Sequence, residues 1–303
     1  MKLLPRLVYG CGRLTGGASK RDALALLDRI FDAGVLALDV APTYGIGTAE
    51  EVVGEAVGRR KQGARIEIIA KVGIAPPRYP WLKTALRRAK RTFAPTSPRD
   101  LTAWRPIEPA GRFGTGDYSA EAMTASVNRS AARLPHIDKL LLHGCGPDEC
   151  TVEVCDSLEK LAAEHSAQPG YAIGSRFDAA LDARYPKHFF AETAINPDIF
   201  VETAISSDRK DVLFHSLMPT AAYLTAHNSE FAAALDRAAE VFEQIDIATA
   251  RISAFYALAA VREPEARLVF AANDPVRLAN LLKTFHQIDT LNLSPTIVER
   301  FGR

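Results

Sequence analysis

The feature that most limits what this chain can become is a repeated alternation. A short apolar run is followed by a helical or loop stretch, and the pattern occurs eight times along 303 residues. The runs fall at 7–11, 35–40, 66–72, 137–143, 171–175, 189–195, 212–216 and 267–272. Between them, apolar residues return at helical spacing. In 22–33 the residues Ala23, Leu26, Leu27, Ile30 and Phe31 share one face, and Gly34 stops the helix. Thr48 is placed to cap the next helix, with Glu50 and Glu51 in its first turn near the positive end of the helix dipole. Further helices are expected at 119–134, 151–165, 229–261 (with a break) and 275–285, and a short one at 177–183. Nearly all-apolar strands separated by helices imply a parallel sheet covered on its faces. The alternation alone leaves a closed barrel and an open doubly wound sheet both standing.

The alternation is interrupted once, from 74 to 118. This stretch carries seven prolines, and between Arg78 and Arg112 nine Lys or Arg against only Asp100 and Glu108. A short basic helix is expected at 81–92 inside it. A loop of this length is uncommon unless it is functional or disordered. Over the site it would favour an acidic or phosphorylated substrate; a solvated basic flap is the plainer reading.

The whole chain has formal net charge +1, so nothing global points to nucleic acid or to an anionic membrane. No apolar run reaches the ~20 residues of a membrane span. The start is too short and too interrupted to be a signal peptide. Cys11, Cys145, Cys150 and Cys155 match no common zinc spacing, and no metal is expected. Four free thiols point to a reducing, cytoplasmic compartment.

Four reactive side chains fall at or just beyond the C-terminal ends of successive runs: Asp39, Tyr44, Lys71 and His143. In a (β/α)8 barrel those ends carry the active site. Each has an ordinary structural alternative: a loop cap, a half-buried aromatic, a snorkelling lysine, a turn-bonding histidine. Together they make a general acid. A phenol has an unperturbed pKa of ~10, and a neighbouring ammonium makes it a better proton donor. Asp39 would keep Lys71 charged and oriented. His143 would hydrogen-bond the same substrate oxygen or the phenol.

Leu38-Asp39-Val40-Ala41-Pro42-Thr43-Tyr44-Gly45 resembles the Asp-Thr-Ala-x-x-Tyr-Gly signature of the aldo-keto reductases. Glu51 to Val57 is similar to that family's Glu-x-x-Leu-Gly-x-Ala-Leu helix, and Ile68-Ile69-Ala70-Lys71-Val72 to its Ile-x-Thr-Lys-Val strand. Ser126 to Leu134 and Ile137 to His143 resemble its Ser-Leu-x-Arg-Leu helix and Tyr-Ile-Asp-Leu-x-x-x-His strand, and Ala172 to Ser175 its Ile-Gly-Val-Ser segment. The resemblance implies a single-domain (β/α)8 barrel over 1–303 with 74–118 inserted after the third strand. It also implies a nicotinamide cofactor, usually NADPH, and hydride transfer to an aldehyde or ketone. In that scheme Tyr44 is the acid, Asp39 and Lys71 tune it, and His143 orients the carbonyl.

The cofactor side departs from the family pattern. Ser175-Arg176 stands where the family usually has Ser-Asn against the nicotinamide carboxamide. Glu192 stands for its Gln, and His215 for the stacking tyrosine. Near the end, Arg277 is placed to reach the adenosine phosphate, while Asp274 would repel one. Two charges replacing two neutral amides make most sense as a pair, so an Arg176–Glu192 ion pair is expected at the carboxamide position, weakening NADPH binding. Two other readings stay open. One is a redox-neutral lyase, dehydratase or epimerase that uses the same four side chains without a nicotinamide. The other is a non-enzymatic subunit on the same barrel, which the intact tetrad disfavours.

Overall fold

The computed structural model describes residues 2–15, 19–60, 65–76, 116–176, 182–195, 197 and 211–302, apart from the side chains of Arg13, Ser175 and Arg176. Most of the expected insertion, with its basic helix at 81–92, and most of the short helix expected at 177–183 lie outside the described residues. Eight parallel strands close into a barrel in chain order. They are β1 (Leu7–Gly10), β2 (Ala37–Asp39), β3 (Glu67–Val72), β4 (Lys139–His143), β5 (Gln168–Arg176), β6 (Phe190–Ala194), β7 (Val212–His215) and β8 (Arg267–Phe270). Each pairs with its successor, and β8 returns to β1 through Leu7 against Leu268. This closure excludes the open doubly wound sheet.

The helices outside the barrel are α1 (Lys20–Asp32), α2 (Ala49–Arg59), α3 (Ala120–Ala131), α4 (Val152–Glu164), α5 (Leu217–His227), α6 (Ser229–Ala239), α7 (Ile247–Arg262), α8 (Pro275–Thr290) and α9 (Ser294–Gly302). Their starts follow the local chemistry. Ser19 accepts from the Asp22 amide at 3.1 Å while the Asp22 carboxylate accepts from the Ser19 amide at 3.3 Å, a reciprocal cap on α1. Ser119 and Thr151 cap α3 and α4 in the single-bond form. Thr48 departs from expectation. It stands at the start of α2 but makes no side-chain cap; its hydroxyl bonds the Gly45 carbonyl at 2.8 Å instead. The long helical region at 229–261 is two helices, α6 and α7, with Asp246 capping the second through the Thr249 amide at 2.9 Å.

Because side chains alternate across a strand, every second residue points into the barrel. Val8, Ala37, Ile69, Leu141, Ala172, Phe190, Leu213 and Val269 form one compact apolar cluster there, separate from the larger core under the helices. Two residues before this layer, toward the strand starts, come Glu67, Lys139 and Arg267. Glu67 pairs with Arg267 at 2.8 Å and with Lys139 at 3.6 Å. Two residues beyond the layer, toward the strand ends, come Asp39, Lys71, His143, Glu192 and His215. The barrel is thus a stack with an ionic floor, an apolar middle and a polar, titratable top. The floor charges are half-buried, with the Glu67 carboxylate shared by two cations, and the top layer is separated from them by the close-packed apolar middle.

Candidate active site

Asp39 ends β2, Lys71 is the next-to-last residue of β3 and His143 ends β4. The registers Asp39↔Ile69, Lys71↔Leu141 and His143↔Ala172 advance by two residues from strand to strand. This stagger brings side chains from separate parts of the sequence to one level. Tyr44 comes from a 3-10 turn, Tyr44–Ile46, just past β2. Gly45, with φ +58°, makes that turn possible, because a Cβ there would fall 1.8 Å from the Thr15 hydroxyl. The same hydroxyl donates to the Gly45 carbonyl at 3.0 Å and lies 2.7 Å from the Thr48 hydroxyl, so the turn is clamped from two sides.

All four sequence-predicted reactive residues line one cavity of about 480 Å³ at the C-terminal mouth of the barrel. The Lys71 ammonium is its centre. Nζ lies 2.8 Å from Asp39 Oδ1, 2.6 Å from Glu192 Oε1 and 2.9 Å from the Tyr44 hydroxyl, to which it donates. The phenol in turn makes a longer bond, 3.4 Å, to Asp39 Oδ2. The Tyr44 and His143 rings meet edge to face, with centroids 5.9 Å apart. His143 is held from behind: the Tyr118 hydroxyl donates to its backbone carbonyl at 2.7 Å.

Burial works against the Lys71 charge, but Asp39 and Glu192 outweigh it, and the ammonium is held well above its ordinary pKa. Burial, then the Glu192 carboxylate, push Asp39 up to about 6 in spite of Lys71. Tyr44 differs from the sequence expectation. Lys71 does pull its pKa down, but burial and then Asp39 push harder in the other direction, so the group is a firmly protonated phenol. Burial and then Lys71 bring His143 down to about 3, and it is a neutral imidazole at physiological pH. Its Nδ1 is buried without a hydrogen-bond partner. A protonated phenol beside a neutral imidazole, both lining one cavity, can deliver and stabilise a proton at a substrate oxygen.

The residues expected on the cofactor side divide. Glu192 faces inward from β6 and takes Lys71 as an ion partner; the Arg176 side chain lies outside the described residues, as does that of Ser175, and the pairing expected between Arg176 and Glu192 lies outside them too. His215 lines the cavity with both ring nitrogens occupied, Nε2 by the Ile173 carbonyl at 2.8 Å and Nδ1 by the Ser216 hydroxyl at 2.7 Å. Burial brings its pKa down to about 4. Arg277 lines a second cavity, of about 270 Å³, with Tyr9, Tyr256 and Asp274. The two cavities share Ser216, Val269 and Ala271 as walls. The Asp274 carboxylate caps α8 by accepting from the Arg277 amide at 2.8 Å.

The sequence reading missed Tyr118, whose only signal was its place at the very end of the insertion, and it missed the attachment of Glu192 to Lys71. Glu192 carried a signal of its own, an acidic residue within an otherwise uncharged strand. Among the described residues no group of His, Cys, Asp or Glu could hold a metal ion, and no helix is long and apolar enough to cross a membrane.

An eight-stranded parallel barrel with a Lys–Tyr–Asp–His constellation at its C-terminal mouth defines a narrow class of protein. The model of the aldo/keto reductase family matches residues 6–164, more than half of the chain, and the protein belongs to that family. A pyridoxal 4-dehydrogenase of Microbacterium luteolum is 33% identical over 142 residues, 45% of this chain and 37% of that protein. An aldo-keto reductase of Bacillus subtilis is 33% identical over 58 residues, 19% of this chain and 17% of that protein. The chain therefore matches well under half the length of these relatives. In fold it is similar to a glycerol dehydrogenase of Gluconobacter oxydans, with a TM-score of 0.61 at 15% identity over 99% of this chain and 92% of that one. A Klebsiella pneumoniae aldo-keto reductase solved with NADPH gives 0.58 at 16% identity over 98% and 91%.

Proposed function

We propose that the protein is a nicotinamide-dependent oxidoreductase that reduces an aldehyde or ketone, with Tyr44 as the general acid. The observation that carries this reading is the Tyr44 hydroxyl, held 2.9 Å from Lys71 Nζ and lining, with His143, the main cavity of the barrel mouth. The side chains around the second cavity suit an elongated dinucleotide. It continues from the first through shared walls and is lined by Tyr9, Tyr256 and Arg277. Ser216, His215 and Arg277 would hold the cofactor; the resemblance adds Ser175 and Arg176, whose side chains lie outside the described residues, and makes NADPH the expected form.

When bound, the cofactor supplies a hydride to the carbonyl carbon. Tyr44 gives its proton to the carbonyl oxygen, so that carbonyl, hydride and proton together make the alcohol. The neutral His143 imidazole hydrogen-bonds the same oxygen and fixes the carbonyl's orientation. Lys71 donates to the Tyr44 hydroxyl and stabilises the phenolate as the proton departs. The apolar layer beneath excludes water from the reacting centre.

The likeness of the first half of the chain to a pyridoxal 4-dehydrogenase makes pyridoxal the first aldehyde to try. The test is NADPH oxidation followed at pH 7 with pyridoxal and a panel of simple aldehydes, alongside a fluorescence titration of NADPH alone. Turnover with saturable NADPH binding is expected. Absence of any NADPH binding would replace this reading with redox-neutral acid–base chemistry on the same four side chains.

A further inference from the structure

The Lys71 ammonium sits between two carboxylates rather than one. Asp39 Oδ1 and Glu192 Oε1 lie 2.8 and 2.6 Å from Nζ, and all three side chains are at most 5% exposed. Among the described side chains one cation faces two buried carboxylates, which leaves an uncompensated negative charge in a low-dielectric place, and that is costly. Glu192 shows where the cost falls: its second oxygen, Oε2, is buried with no hydrogen-bond partner. Other titratable groups face this cluster from the packed elements: Tyr44 beyond β2, His143 on β4, His215 on β7 and Cys11 beyond β1. None of them supplies a positive charge. Both histidines are driven toward the neutral form, and the thiol and phenol are driven away from ionisation. Two carboxylates that share one site relieve their repulsion by taking up a proton.

We propose that Glu192 is a positioning residue of the acid–base group, and that the Asp39–Lys71–Glu192 cluster takes up one exchangeable proton on mild acidification, in addition to the proton on Tyr44. The proton comes from solvent and resides on the carboxylate pair. With it, the cluster is neutral and Lys71 acts on the phenol as it would beside a single carboxylate. Without it, the extra negative charge opposes loss of the Tyr44 proton and makes the phenol a poorer donor. Glu192 thereby sets a pH below which Tyr44 is a ready acid. The upward shift of Asp39, for which Glu192 is the largest cause after burial, agrees with this arrangement. The catalytic meaning rests on the reading of Tyr44 as the acid; the proton on the cluster does not.

The test uses the unliganded protein and two measurements. Infrared difference spectra across pH 5 to 8 should show a protonated-carboxyl band that titrates away as pH rises, and this band should be absent from Glu192→Gln. In parallel, thermal melts of the wild type and Glu192→Gln are compared at pH 8 and pH 5. At pH 8 the variant has lost an uncompensated buried charge and should melt higher by about 3 °C, the shift that roughly 2 kcal/mol gives in a chain of this size. At pH 5 the wild-type cluster is protonated, and the gap should fall below half of that. A gap that does not change with pH, or a wild type with no titrating carboxyl band, overturns the proposal and leaves Glu192 as a plain ion-pair partner. If Glu192→Gln does not fold, the wild-type infrared titration decides by itself. Neither measurement needs a cofactor or a carbonyl, so a protein that fails to reduce aldehydes leaves this result standing, and the converse holds as well.

Discussion

At the scale of single residues, the chemistry is set by burial more than by pairing. Asp39, Tyr44, Lys71 and His143 were all legible in the sequence, since each sits at or beyond the end of an apolar run. Their protonation states were not. The order of pKa effects at Tyr44 depends on how dry the site is, and a sequence does not state that. His143 and His215 are brought down to about 3 and about 4, so the unfolded chain takes up protons at these positions before the folded chain does. Stability contributed by their neutrality is therefore present above the unfolded imidazole pKa of ~6.5 and is lost as pH falls toward 4. Asp39 runs the other way. Raised to about 6, it favours the fold below its unfolded pKa of ~3.9, and that contribution is lost as pH rises through 6. With two imidazoles against one carboxyl, the melting temperature is expected to drop between pH 6.5 and 4.5. His215→Gln should flatten that drop, and an unchanged slope in the variant would remove His215 as a cause.

At the scale of elements, the reliable signals were periodicity and caps. The failures came where local chemistry is ambiguous. The strand expected at 171–175 is β5, Gln168–Arg176, which starts three residues earlier. Pro169 hid this start, since a proline lacks the ladder donor and is tolerated only near a strand's beginning or edge. Helix α5 went unread because Pro219 lies in its sequence, yet it occupies the first turn, where the missing amide costs little. The Tyr44 turn was recognised only as a loop; its geometry depends on Gly45 and on Thr15, thirty residues away in the chain. Gly45→Ala should therefore cost roughly 2 kcal/mol or more, from the positive φ together with the clash with Thr15. It should also displace Tyr44 and lower turnover. Gly58→Ala is the matched control. It lies within α2 with nothing within 4 Å of a new Cβ, and should stabilise by about 0.5–1 kcal/mol. Denaturant midpoints of the two variants decide both expectations, and a neutral Gly45→Ala would contradict the clamped turn.

At the scale of the whole molecule, the barrel separates stability from function along its axis. The sequence reading treated the strands as nearly all apolar and so did not see the alternation inside them. Glu67-Ile69-Lys71 and Lys139-Leu141-His143 each run from ionic floor through apolar middle to reactive top. Parity was present in the sequence, but which parity faces inward is fixed only once the barrel closes and its stagger is known. That is also why the contact of Glu192 with Lys71 was not foreseen. Arg267→Met breaks the floor pair with Glu67, where both partners are less than a third exposed, and should destabilise the protein by about 1–2 kcal/mol. It should leave kcat within about twofold, since the apolar layer lies between floor and site; a large loss of kcat would contradict this separation. The central claim is that the top of this barrel is a proton-donating site for carbonyl reduction with Tyr44 as the donor. Its most direct test is Tyr44→Phe, measured for NADPH affinity by fluorescence and for aldehyde turnover in parallel. The account predicts unchanged NADPH affinity and turnover reduced at least ~10²-fold, as loss of a general acid requires. Near-normal turnover in the Phe variant would contradict it.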